Sequence, residues 1–288
     1  MKYTTDKNIL LIEFLKEIYP DSPASRIKKI LSAGKVRVHG KSVTHHAHRL
    51  LPGDTIEISK SSPHTAKAPF KFLYEDDFIL AIEKPPGINT SSADNTISCA
   101  SVLTTWYQEY SNSIKKIFVI HRLDREVSGV LLFAKSEDIM EKIRGNWETT
   151  EKRYRAVLEG SPPEKSGTYT TYLAENERQR MYSASKDTPG AKKAITQYRI
   201  IRKLGKYTEV EIILHTGRKN QIRVHMKEMG CPIVGDRRYG AEGKYIRRIR
   251  LHSIMLELNH PVSGKRLKIT SEIPAKFYVI RDEDEDYK

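Results

Sequence analysis

Short apolar runs rich in β-branched and aromatic residues recur between residues 71 and 280, at Phe78–Ile82, Phe118–Ile120, Val130–Ala134, Tyr154–Leu158, Ile195–Ile201 and Val210–Leu214. Glycines and prolines separate them. Helical periodicity is clear in fewer places, over 98–110, 137–147 and 219–229. Strands that outnumber helices, and do not alternate with them, point away from a doubly wound parallel sheet. They predict an α+β domain built on a mixed, largely antiparallel central sheet.

Residues 1–59 read as a smaller α/β unit. Leu10, Leu11, Phe14, Leu15 and Ile18 fall at helical spacing, which predicts a helix over 7–19 with one apolar face. A second helix follows, with Ser22 as N-cap, Pro23 at its first position and Gly34 as its stop. Val36 and Val38 alternate with polar neighbours, His39-Gly40-Lys41 reads as a turn, and Ile56–Ile58 closes the unit as a strand. The Ser-, Pro- and Ala-rich stretch 60–70 reads as a linker, and 281–288 as an acidic, disordered tail.

Fifty Lys and Arg against 36 Asp and Glu leave a net charge of +14, which suits a polyanionic partner. Placement matters more than the total. From Ala24 to Lys41 there are six basic residues (Arg26, Lys28, Lys29, Lys35, Arg37 and Lys41) and no acidic one. A solvated face normally mixes both signs, whereas a single-sign helix and hairpin suits a phosphate backbone. Two cysteines, Cys99 and Cys231, without CxxC spacing argue against a disulfide scaffold or cysteine-rich zinc site and fit a reducing cytoplasm. His45, His46 and His48 have no cysteine or carboxylate at ligand spacing and read as surface histidines. No apolar run is long enough to span a bilayer, and Glu13, Lys16 and Glu17 interrupt the apolar N-terminal stretch, against a signal peptide. Phosphate-loop, dinucleotide-binding, HExxH and GxSxG patterns are missing, so neither cofactor nor metal is expected.

Within the larger unit, Asp124 stands between two apolar strands, with Arg122 and Arg125 on either side. A carboxylate beside cations should have a lowered pKa and stay ionised, ready to act as nucleophile or base. A strand-end salt bridge explains the same residues equally well. Tyr154 by itself reads as a core tyrosine, and Arg223 on a helix as a solvated arginine. Arg218 and Lys219 precede that helix, where phosphate contact is expected.

Residues 121–135, HRLDREVSGVLLFAK, resemble the catalytic motif of the RluA-type pseudouridine synthases. Further pieces follow the family's order: Ile82 to Gly87 (IEKPPG), Lys152 to Val157 (KRYRAV), His215 to His225 (HTGRKNQIRVH), Pro232 to Gly240 (PIVGDRRYG) and Leu251-His252 to Pro261. The resemblance covers roughly 72–278. It implies the pseudouridine-synthase fold and isomerisation of uridine in RNA without cofactor or metal. It makes Asp124 the catalytic aspartate, Arg122 the arginine that fills the space of the flipped uridine, and Tyr154 the tyrosine that packs on the target base and is the candidate for removing the C5 proton. Arg223 becomes the arginine paired with the carboxylate. Arg125, Arg218 and Lys219 are expected at the substrate. Asn220 stands where the family usually has His, and Glu83 replaces a frequent Asn; both bear on substrate preference.

Residues 8–59 resemble the S4 RNA-binding module through Ser25 to Leu31 (SRIKKIL), Gly34 to Lys41 (GKVRVHGK) and Leu51 to Asp54 (LPGD), with His39 where Asn is common. Such a module implies ribosomal RNA, of the large subunit, ahead of tRNA; no membrane and no obligate protein partner are expected, and the expected location is the cytoplasm. The competing readings are a tRNA pseudouridine synthase, a non-catalytic RNA-binding or ribosome-assembly factor on the same fold, and an N-glycosidase that releases uracil.

Overall fold

The computed structural model describes residues 2–279 except 21, 33–34, 59–67, 93–95, 111–115 and 244–247; the side chains at 25, 26, 29, 32 and 110 are also outside the description. The acidic tail, most of the linker and the Gly34 stop therefore lie outside the described residues. The chain divides into two compact units, Met1–Pro69 with Ser101–Ile117, and Phe70–Ala100 with Phe118–Lys288.

In the first unit the order is β1 (Lys2–Thr4), β2 (Ile9–Leu10), α1 (Leu11–Ile18), α2 (Ala24–Ser32), β3 (Val36–Val38), β4 (Lys41–Ser42), β5 (Arg49–Leu50) and β6 (Thr55–Ile58). Four strands form an antiparallel sheet in the order β1-β6-β3-β4, and β2 pairs with β5. The first helix starts at Leu11, not at residue 7, because Ile9 and Leu10 pair with Leu50 and Arg49. Leu11, Phe14 and Leu15 of α1 join Ile27, Ile30 and Leu31 of α2 over Val36, Val38, Ile56 and Ile58. His39 and Gly40 both have positive φ, 50° and 77°, and Val38 pairs with Lys41. That is the primed two-residue turn whose twist matches its strands. Lys28, Arg37 and Lys41 are exposed. Lys35 departs from the expected basic face: it is 4% exposed, and burial lowers its pKa. The side chains of Arg26 and Lys29 lie outside the described residues.

The second unit contains β7 (Lys71–Glu75), β8 (Ile79–Lys84), the start of α3 (Cys99–Tyr110), β9 (Phe118–Val119), β10 (Ser128–Ala134), α4 (Glu137–Gly145), β11 (Glu151–Glu159) and β12 (Ser166–Glu175). It continues with β13 (Met181–Ala184), β14 (Lys192–Leu204), β15 (Tyr207–Leu214), α5 (Gln221–Glu228), β16 (Leu251–Asn259) and β17 (Arg266–Thr270). Among the described residues eleven strands make one sheet, ordered β13-β12-β14-β15-β11-β16-β10-β8-β7, with β17 on β16 and β9 on β10. The mixed, largely antiparallel sheet is as expected: of the described strand pairings in this sheet, β10 with β16 is the parallel one.

That parallel pairing depends on Gly129. Its φ is +113°, and a Cβ there would lie 2.1 Å from the Ser253 carbonyl oxygen, so no other residue fits. Every residue of β10 is buried. Val130, Leu132 and Ala134 pack with Ile139, Met140 and Ile143 of α4. At the sheet's other end Val224 of α5 packs with Leu173, Met181, Ala194 and Tyr239. Burial of each large aliphatic side chain contributes about 1.5–3 kcal/mol, so α4 and α5 are held by their apolar faces. The register of β11 against β16 shifts between Arg153 and Tyr154. A bulge of this kind re-aims the next side chain, here Tyr154. No helix among the described residues is long and apolar enough to cross a membrane.

Candidate active site

Asp124 lies on the loop from β9 to β10, and the chain upstream clamps that loop. The Thr90 hydroxyl donates to the Leu123 carbonyl (3.0 Å) and accepts from the Leu123 N–H (3.1 Å). Gly87 N–H donates to the Arg125 carbonyl at 2.7 Å, and Arg125 Nε returns a bond to the Gly87 carbonyl at 3.1 Å. Lys84 is fully buried and gives its ammonium to the carbonyls of Pro85 and Arg125. Burial pushes its pKa down to about 8, against the opposing charges of its acidic neighbours. The Lys-Pro-Pro-Gly segment is thus the brace for the loop that presents the carboxylate.

The partner of that carboxylate comes from α5. Arg223 Nη1 donates to Asp124 Oδ2 at 3.2 Å. The rest of the guanidinium is tied down from behind. Nε and Nη2 make a two-pronged contact with Asp236 at 2.7 and 2.8 Å, and Nη1 also reaches Asn220 Oδ1 at 3.1 Å. The Tyr239 ring lies 5.0 Å from the guanidinium carbon, and its hydroxyl accepts from Asn220 Nδ2 at 3.0 Å. Asn220 is in the left-handed region (φ 53°), which Asn tolerates better than most residues. Arg223 is 4% exposed and Asp236 is 1% exposed. Burial works against the Arg223 charge, but Asp236 and then Asp124 override it and hold the pKa above its ordinary value.

Asp124 itself remains 23% exposed and opens on a pocket of about 300 Å³. Arg122, Lys152, Tyr154, Asn220 and Arg223 share the wall with it. Burial raises the pKa of Asp124 above the ordinary carboxylate range; Arg223 and, more weakly, Arg122 oppose this, while Glu126 adds to it. The expectation of a lowered pKa is therefore corrected. The Arg223 charge is shared with Asp236, and the low-dielectric wall outweighs what is left. Tyr154 is buried, and burial followed by the Asp124 charge raises its pKa, so the phenol stays protonated. His121 stacks on Trp147 at 4.9 Å and accepts the Leu132 N–H at 3.0 Å. Burial, and then Lys152, push its pKa down to about 3, so the ring is a neutral wall element.

A family model described as RNA pseudouridylate synthase matches residues 78–228, which hold the Asp124 loop, Tyr154 and Arg223. The chain belongs to the RNA pseudouridylate synthase family. It is 30% identical to "Ribosomal large subunit pseudouridine synthase C" of Rickettsia prowazekii, over 94% of this chain and 95% of that protein. It is 29% identical to "Ribosomal large subunit pseudouridine synthase D" of Yersinia pestis, over 92% of this chain and 87% of that protein. The structure of human RNA pseudouridylate synthase domain containing 4 superposes with a TM-score of 0.61 at 22% identity, covering 72% of this chain and 90% of that one, and shows the same fold.

In this pseudouridylate synthase the fold brings Arg122, Asp124, Tyr154, Arg218, Lys219 and Arg223 to one pocket. Arg122 is exposed and makes no hydrogen bond or ion pair among the described residues. Arg125 departs from the expected bracket: its Nε is spent on the Gly87 carbonyl. Arg218 Nε donates to the Lys193 carbonyl at 3.0 Å, and Lys219 pairs with Glu175. Gln221 Oε1 accepts from Arg218 N–H and the Thr216 hydroxyl, and Nε2 donates to Ile195 and Thr196, which fixes the turn before α5. The sequence reading missed Asp236 as the anchor of Arg223. The VGDRRYG segment carried the signal, but nothing in it tells which carboxylate turns inward.

Proposed function

We propose that this chain isomerises uridines of large-subunit ribosomal RNA to pseudouridine, in the cytoplasm, with Asp124 as the acting carboxylate. One observation carries the reading. A carboxylate held at 3.2 Å by a buried arginine faces a pocket of about 300 Å³ that also displays Tyr154 and an uncommitted Arg122. The reaction breaks the N1–C1′ bond and forms a C5–C1′ bond. C5 gives up a proton and N1 gains one, so atoms balance without a co-reactant. Extruding the base costs a few kcal/mol, and Arg122, free of internal partners, offsets part of this by filling the vacated place. Asp124 acts at the ribose carbon, and its raised pKa makes the ionised form a stronger base and nucleophile. Arg223 orients it, and the Tyr154 ring packs on the base.

Residues 1–59 are assigned as an S4-like RNA-binding domain. Exposed Lys28, Arg37 and Lys41 and the primed hairpin turn support this. Ribosomal RNA is preferred over tRNA because relatives that match over more than nine-tenths of this chain are named ribosomal large subunit synthases. Mapping pseudouridines in total RNA from cells with and without the gene tests this. Loss of sites in large-subunit ribosomal RNA is expected; loss confined to tRNA would favour the alternative substrate, and no loss would favour a non-catalytic role.

A further inference from the structure

A second cavity, of about 340 Å³, is also lined by Arg223. The two cavities share Arg223 in their walls, so they are neighbours. Their sizes are alike: if the first takes one nucleoside, the second has room for another. Ile249 is 4% exposed and supplies an apolar wall, and Gly235 leaves backbone without a side chain. Arg237 and Arg238 also line this cavity, both exposed. Arg238 gives one N–H to the Gln179 carbonyl at 2.7 Å, and the Arg237 side chain has no hydrogen bond or ion pair among the described residues. Glu126 lines the same cavity. Its carboxylate is 47% exposed and lies 3.8 Å from Arg223 Nη1, beyond hydrogen-bond reach. Asp236 also lines the cavity, but both its oxygens are taken by Arg223.

An apolar wall, a half-exposed carboxylate that is ion-paired to Arg223 but accepts no hydrogen bond among the described residues, and two guanidinium groups suit one ligand class: a nucleotide whose base stacks, donates an N–H and carries a phosphate. We propose that this cavity receives the nucleotide next to the target uridine in the same RNA strand, with Glu126 selecting a base that bears an exocyclic amino group. An ionised carboxylate only accepts hydrogen bonds. Adenine, cytosine and guanine each offer an exocyclic amino group to it, whereas uracil offers only a ring N3–H set between two carbonyl oxygens that repel a carboxylate. Arg237 and Arg238 hold the phosphate, which positions the strand without reading its sequence. The inference rests on the Asp124 pocket taking the target uridine.

The test uses the full chain and RNA fragments that differ only at the nucleotide flanking the target, with uridine, cytidine, adenosine or guanosine on each side in turn. At one of the two flanks the wild-type kcat/KM should favour the amino-bearing bases over uridine by roughly tenfold. Glu126→Gln should collapse or invert that ratio, because an amide N–H donates to uracil O4. The absolute rate of this variant changes through Arg223, so the ratio within each enzyme is the readout. Arg237→Ala should raise KM equally for all four bases. Binding of the same RNAs to Asp124→Asn enzyme, followed by fluorescence anisotropy, should give the same order of preference without turnover. Equal values for all four bases at both flanks, or a ratio that survives Glu126→Gln, would overturn the inference. Turnover by Asp124→Asn would instead overturn the assignment of the first pocket.

Discussion

Two polar assemblies cross the larger unit, and they differ in how they end. One is closed. Arg248 Nη2 donates to the Ser128 hydroxyl (2.7 Å), so that hydroxyl gives its own proton to His252 Nδ1 (2.7 Å). His252 Nε2–H then donates to Ser271 (3.1 Å), and Ser271 to Glu83 (3.0 Å). The direction of every bond follows from the arginine at one end and the carboxylate at the other. Burial pushes the His252 pKa down to about 4, which keeps the ring in the neutral form the chain requires. Ser128 and His252 are also the residues paired across β10 and β16, so this assembly ties the parallel strands together. The other assembly is open. Asp236, Arg223 and Asn220 satisfy one another inside, and Asp124 ends the series at a pocket. A closed chain contributes stability; an open one keeps a carboxylate at extra electrostatic cost where a substrate can use it.

The difference is largest when an inner member is removed. Arg223→Ala leaves Asp236 buried without its counter-charge and should cost about 3–5 kcal/mol, read as a lower urea midpoint, with turnover lost. Removing Asp236 as well should restore much of the stability and none of the turnover. If the double variant is less stable than the single one, the buried pair has been misjudged. Ser128→Ala breaks the closed chain at two bonds. It should cost about 1–3 kcal/mol while turnover persists in the folded enzyme; lost turnover at unchanged stability would mean the closed chain belongs to the chemistry.

Smaller effects come from protons. Burial raises the pKa of Asp124, so the carboxylate ionises only as pH climbs through that raised value. Turnover should therefore fail on the acid side at a pH above the ordinary aspartate value of about 3.9. An acid limb at or below that value would contradict the burial argument. The same sign applies to stability. A carboxyl whose folded pKa is raised contributes stability below its unfolded pKa and loses that contribution as pH rises through the folded one. Asp124→Asn escapes the loss, so the difference in Tm between it and wild type should shift in its favour as pH rises above the ordinary aspartate value of about 3.9. Calorimetry reads this directly; a shift in favour of wild type would be the wrong sign.

The open assembly was legible in outline and the closed one was not. Asp124 stood out because two apolar runs frame it, and resemblance then added Arg223 and Tyr154. The branching of the network was hidden, since Asp236 and Arg223 are 13 residues apart and only the turn at 235–240 brings them together. The lowered pKa expected for Asp124 failed because sequence does not show burial, which outweighs the nearby cations; in addition, Arg125 turns to the Gly87 carbonyl. Strands with continuous apolar runs were readable, whereas β12, with the sequence SGTYTTYLAE, hid its pairing behind threonines and tyrosines. Lys35 looked like a surface cation because a lone basic residue shows nothing of its burial.

The central claim concerns one carboxylate, and RNA labelled with tritium at uridine C5 tests it most directly. Wild-type enzyme should release tritium to water with the base retained in the strand, whereas Asp124→Asn should bind the same RNA and release none. Tritium release by that variant, or free uracil from the wild type, would contradict the account.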